Sequence, residues 1–205
     1  VDGFLPEQLE HALYERRSLV RMLGMRRTLF VVPDEIDGVI DEACTKALAP
    51  GQQRRLLGMI EAQLDVGDAE AWLDDVSERT LAALDALGEA SARELTAVVP
   101  ELATKLTFGE GTTWGGTVGV STRVLFLLAT EGRIVRARPL GSWISGQYRW
   151  ALTVRWLGTA LPAVDRDEAC AVLLRRWLWS FGPATTTWNS RCSRSTSAGR
   201  RITSA

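Results

Sequence analysis

Arginine and aromatic side chains crowd one stretch of this chain. Five arginines, at 133, 136, 138, 149 and 155, are interleaved with Trp143, Tyr148, Trp150 and Trp156, and no acid occurs between Arg133 and Val164. Guanidinium groups neutralise phosphates and release the ions condensed on a nucleic acid. Aromatic rings on a projecting loop can stack on bases or wedge into a groove. Nucleic-acid binding is the chemistry these residue types suit. Arg123, Arg133, Arg136, Arg138 and Arg149 are the candidate phosphate or groove contacts, Ser145 and Gln147 can reach sugar or base edges, and Tyr148 is the aromatic among them. Alternation along a strand puts Arg136 and Arg138 on one side. Trp143, Trp150 and Trp156 are expected to pack rather than to stack on bases, because their apolar area is large.

Other chemistries find little material. His11 is the only histidine, so a Ser-His-Asp triad or a multi-histidine metal site has little to draw on, and a surface position is expected for it. Cys44, Cys170 and Cys192 form an odd, scattered set with no CxxC. That argues against a disulfide framework or a zinc site and for a reducing, cytoplasmic setting. The Gly-rich run GEGTTWGGTVG over 109–119 has no lysine for a phosphate-cradling GxxxxGK[ST] loop, so a flexible connector is expected there. No catalytic residue, metal or cofactor is assigned. No signal peptide and no bilayer-length apolar run is present.

The net charge of −1 hides an asymmetry. Residues 1–132 carry 22 acids against 12 lysines and arginines, whereas 133–205 carry 3 acids against 12 arginines. A basic half points to a polyanionic partner. The alternative is that the two halves attract each other.

The elements that must position these residues read as mainly helical. A helix is expected over Pro6–Arg17, then a strand over 26–32 ended by Pro33. Asp34 is placed to cap a helix to about Leu48, Pro50-Gly51 to break it, and a further helix to run over 52–64. Asp68 opens a longer helix closed by Gly88. Ser91-Ala-Arg-Glu94 is a capping box for a short helix ending before Pro100. Residues 121–130 form the next helix, with Val124, Leu125, Leu128 and Ala129 on its apolar face. Two β runs, Arg133–Arg138 and Gln147–Trp150, flank Pro139 and Gly141 as a hairpin. Helix, turn, short helix, helix and basic hairpin are the layout of a helix-turn-helix with a wing. The helix at 165–180 leads into Phe181-Gly182-Pro183-Ala184-Thr185, matching Leu87-Gly88-Glu89-Ala90-Ser91 in pattern, so a second copy of the unit is expected to begin there.

The segments LVRMLGMRRTLFVVP (19–33), STRVLFLLATEGRIVRARPLGSWISGQYRW (121–150) and FGPAT (181–185) resemble the winged-helix DNA-binding-domain proteins that include the bacterial interstrand-crosslink DNA glycosylases. The resemblance covers residues 1–187 and is most specific in the hairpin. It implies an α+β, predominantly helical fold of tandem winged-helix units: the remainder of a first unit at 1–66, a central unit at 67–164 and the start of another at 165–187. The Ser/Arg-rich tail at 188–205 has no apolar periodicity and is expected to be disordered. The family's glycosylases excise alkylated or crosslinked purines with a Gln-x-Gln-type motif that precedes the segment where this chain begins, and they carry a C-terminal β-barrel. Here Gln63-Leu64-Asp65 matches Gln-x-Asp by spelling only, and Phe30 stands where related glycosylases tend to carry His. The expectation is therefore a fragment that binds duplex DNA, through a recognition helix at about 121–131 and a wing at 133–150, without the catalytic centre. Two alternatives stand beside it: a truncated alkylpurine glycosylase, and a winged helix used for assembly.

Overall fold

The computed structural model describes residue 3, residues 5–141 and residues 146–183. Trp143, Ser145 and the tail expected at 188–205 lie outside the described residues.

Helix α1 (Pro6–Glu10) opens with Pro6 in its first turn and continues through a wider π turn (His11–Glu15) that buries Leu13 and Tyr14. Strands β1 (Leu19–Leu23) and β2 (Leu29–Pro33) pair antiparallel, with Val20 opposite Val32 and both buried. The expected strand at 26–32 thus starts late. Met25–Arg27 form a 3₁₀ turn at the hairpin tip, and Arg27 takes a left-handed conformation there (φ 60).

A helical run of mixed turn types follows: Asp34–Ile36, then α2 (Asp37–Ile40), a π turn (Asp41–Thr45) and Lys46–Leu48. Asp34 is not its cap; the residue at that position is Pro33, and no side chain accepts from the first-turn amides. Nor does Pro50-Gly51 break a helix. Pro50 lies in the first turn of α3 (Ala49–Gln63), where its missing N–H has no intrahelical partner to lose.

The capping signals at Asp68, Gly88 and Ser91 operate as read. Asp68 accepts from the amides of Glu70 and Ala71 at the start of α4 (Ala69–Leu87), both at 3.0 Å. Gly88, at φ 73, ends that helix, a conformation that only glycine adopts cheaply. After β3 (Glu89–Ser91), the amide of Glu94 donates to Ser91 Oγ and the amide of Ser91 donates to Glu94 Oε2, which closes the box on α5 (Ala92–Val98).

The Gly-rich segment is a hairpin rather than a loose connector. Its strands are β4 (Lys105–Phe108) and β5 (Gly116–Gly119), paired from Lys105–Gly119 to Phe108–Gly116. Glycine serves packing here: a Cβ on Gly109 would come within 2.6 Å of the Trp114 ring. Helix α6 (Val120–Thr130) follows, then β6 (Ile134–Pro139), β7 (Tyr148–Leu152), α7 (Thr153–Leu157) and α8 (Arg166–Phe181).

The fold is α+β and mostly helical, and the described residues form three small antiparallel sheets, β1–β2, β3–β7–β6 and β4–β5. Among the described residues no helix is long and apolar enough to cross a membrane. The largest core joins Leu56 and Ile60 of α3, Leu73, Val76 and Leu84 of α4, Leu95 of α5, Val124 and Leu128 of α6, and Ile134 and Trp150 of the sheet. A second core joins Leu13, Tyr14, Val20, Met22 and Val32 to Val135, Ala137, Ala151 and Trp156. Period-two alternation divides β6 and β7 between them, since Ile134 and Val135 point to opposite faces. The root of the basic hairpin is therefore held on both sides. A third cluster, Ala43, Cys44 and Ala169, seats α8.

Candidate nucleic-acid interface

Helix α6 is anchored by Val120, Val124, Leu125, Leu127 and Leu128, which face the largest core. Arg123 lies at the edge of that face and is half-buried. A long helical side chain leans back toward the helix N-terminus, and the Arg123 guanidinium accordingly lies 5.7 Å from the ring of Phe108 on β4. Its Nε is buried without a hydrogen-bond partner. Burial lowers its pKa from the usual arginine value, and the positive charges of Arg55 and Arg27 lower it further.

The hairpin arginines have a different setting, for most are paired with acids from the front half of the chain. Arg133 Nη2 is 2.7 Å from Glu78 of α4. Arg138 reaches Glu15 at 2.8 Å and Glu10 at 3.6 Å, and its guanidinium covers the Tyr14 ring at 4.7 Å. Arg149 donates to the Glu89 carbonyl at 2.8 Å and pairs with Glu94 at 3.3 Å. Arg155 is 2.6 Å from Asp85. The attraction between an acidic and a basic half is thus realised within one chain.

Arg136 stacks instead. Its guanidinium lies 4.2 Å from the Tyr148 ring and 5.6 Å from that of Trp150. Those two rings meet edge to face at 5.1 Å. Burial lowers the Arg136 pKa and raises that of the Tyr148 phenol. Simple alternation would give Arg136 and Arg138 a common surface. An irregularity in the β6–β7 pairing falls between Arg136 and Pro139, and the two arginines have separate partners. Gln147 is exposed, with its carbonyl accepting from the Leu140 amide at 2.8 Å. Trp150 and Trp156 are packed inside, at 5% and 4% exposure, so neither ring is available to a base.

Spacing alone did not reveal Arg17, which lies 4.3 Å over the Trp156 ring and donates to the Trp156 carbonyl at 3.0 Å. With Arg149, Arg155 and Glu89 it lines an open cleft of about 440 Å³. Arg27 and Arg55, the neighbours of Arg123, were missed too, because nothing in the linear order joins 27, 55 and 123. Among the described residues no group of three His, Cys, Asp or Glu side chains is arranged to hold a metal.

Comparisons with known proteins bear on this surface. The family model described as DNA glycosylase AlkZ-like matches residues 1–203. No curated protein matches the chain. Among solved structures, the Streptomyces sahachiroi DNA glycosylase AlkZ is similar, with a TM-score of 0.57 and 18% sequence identity. The match covers 94% of this chain and 47% of that one, so the chain spans about half the length of the structure it resembles.

Proposed function

We infer the function from one premise: the chain belongs to the DNA glycosylase AlkZ-like family, whose model covers residues 1–203. The reading we propose is a DNA-repair protein of the glycosylase type, acting on duplex DNA with an alkylated or crosslinked purine. A glycosylase must expose the modified base and set a water against the sugar, so the protein needs a surface that grips the flanking backbone. That surface is α6 with the β6–β7 hairpin, including Arg123, Arg133, Arg136, Arg138, Ser145, Gln147, Tyr148 and Arg149.

The finer reading is a winged helix. It is supported by the order α4, β3, α5, β4, β5, α6, β6, β7, in which the β4–β5 hairpin is inserted ahead of α6, and by the sheet order β3–β7–β6; on this reading α6 is the recognition helix and the β6–β7 hairpin the wing. We assign the unit to 67–164, with 1–66 as the rest of a preceding unit and 165–187 as the start of a following one. This element order also favours a second reading, DNA binding without base excision. The test is release of 7-methylguanine from alkylated duplex, run alongside fluorescence anisotropy with the same duplex. Base release and binding support the glycosylase. Binding with no release supports the second reading, and failure to bind defeats both.

A further inference from the structure

The glycine-rich hairpin has no role in the interface so far. Its loop, between Phe108 of β4 and Gly116 of β5, holds Trp114 at 68% exposure. Tryptophan presents a large apolar area and ordinarily buries most of it. Among the described tryptophans only Trp179 on α8, at 92%, is more exposed. The Trp114 ring is nonetheless held. It lies on Gly109, where a Cβ would come within 2.6 Å of its Cζ3 and 2.7 Å of its Cε3. Gly109 takes φ 63, and its carbonyl accepts from the Thr112 amide at 3.0 Å and the Thr112 hydroxyl at 2.6 Å. The Gly115 amide donates to the Thr112 carbonyl at 3.2 Å. These bonds close the loop on itself and fix the indole while leaving most of it in solvent.

The root of the hairpin is as firmly placed. Leu106 is wholly buried in the largest core. The Gln63 side chain of α3 accepts from the Thr107 amide at 2.6 Å and donates to its carbonyl at 2.9 Å, as a further strand beside β4 would. Arg123 lies over the ring of Phe108, the residue before Gly109. The candidate phosphate contact on α6 and the exposed indole thus rest on consecutive residues of one hairpin. From Gly109 to Gly119 there is no lysine or arginine, and the one acid, Glu110, is exposed. Such a tip does not suit a phosphate; it offers a flat, neutral aromatic face.

In an intact duplex each base is covered on both faces by its neighbours, so an inserted ring stacks only where that pile is opened. Taking a modified base out of the duplex opens it. We propose that Trp114 is a stacking platform for a nucleobase that has lost a neighbour, either beside the exposed purine or opposite it. The proposal rests on the DNA-repair reading for the source of that base. It gives the β4–β5 hairpin the task of holding the opened stack while Arg123 meets the backbone.

The experiment compares an intact duplex with one carrying a tetrahydrofuran abasic site, with 2-aminopurine placed beside the gap or opposite it. Anisotropy reads affinity, and 2-aminopurine quenching reads stacking, for the full chain and its Trp114→Ala, Trp114→Leu and Trp179→Ala variants. Wild type is expected to prefer the gapped duplex and to quench the probe in one of the two positions, which identifies the base. Trp114→Ala should weaken binding to the gapped duplex roughly 5- to 100-fold, the range for losing one base–aromatic stack. The slope of log affinity against log salt should not change, because no charge is removed. Trp179→Ala should bind as wild type does. Trp114→Leu keeps an apolar side chain over Gly109 but has no ring, so it decides the matter if Trp114→Ala melts early: lost preference and quenching support the platform, and retained preference and quenching overturn it. Equal affinity of wild type and Trp114→Ala overturns the platform and leaves the repair reading standing, as does an equal loss in Trp179→Ala. Failure of wild type to bind either duplex overturns the repair reading and the platform with it.

Discussion

Asp41 is almost wholly enclosed, with 1% exposure, and only its Oδ2 meets a partner, Lys46 at 3.4 Å. Burial raises its pKa above 3.8, and Lys46 offsets part of that. A carboxyl whose folded pKa exceeds its unfolded value binds its proton more tightly in the fold. The stability it contributes is complete below about 3.8 and declines as pH rises through the folded value. Asp41→Asn is accordingly expected to gain stability over wild type at neutral pH and to lose that advantage in acid. Urea melts across that range check it; an advantage independent of pH contradicts the assignment. The thiols differ in the same way. Burial pushes the Cys44 thiol up to about 11, while Cys170 is exposed. Native alkylation followed by mass mapping should label Cys170 and spare Cys44, because the thiolate is the reacting form. Residue type and a neighbour three places away made the caps at Asp68 and Ser91 legible. The enclosure of Asp41 was not legible, since it depends on the turn after α6 and on Leu161, both far away in sequence.

At the scale of elements, helix ends were read more surely than strands. The Ser91–Glu94 box needs only local order, and Ser91→Ala should cost about 1 kcal/mol in urea melts. A loss well under that would mean β3 pairing holds the turn without the cap. The sheets depended on partners that no local pattern names. β1 was overlooked beside β2 because Val20 and Met22 declare a buried face only once Leu13 and Trp156 are packed against them. β4 and β5 were hidden by glycine, which has low strand propensity and here admits Trp114 and Phe108 against the backbone. Extended alternation also failed between Arg136 and Pro139, where the register shifts.

Across the whole molecule, the β6–β7 root lies between two cores, so the basic hairpin and the N-terminal hairpin share their stability. Trp156→Ala should cost about 3–5 kcal/mol, and hydrogen exchange should speed up in β1 and β7 together; faster exchange in β7 alone would show that the cores are independent. The candidate interface was legible in sequence as a basic, aromatic stretch. Its charge state was not, because Glu15, Glu78, Asp85 and Glu94 reach their arginines only in three dimensions. Glu78→Gln with Glu15→Gln should strengthen duplex binding at low salt, read by anisotropy, and unchanged affinity would remove Arg133 and Arg138 from the interface. Those same carboxylates make the hairpin behave like an ion-exchange resin already loaded with its own counter-ions. A phosphate that takes Arg133 or Arg138 frees a glutamate, which recaptures a cation from solution. The net number of ions liberated per contact is then smaller at the hairpin than at an arginine with no carboxylate partner, so the salt sensitivity of binding will count fewer phosphates than the strand actually touches.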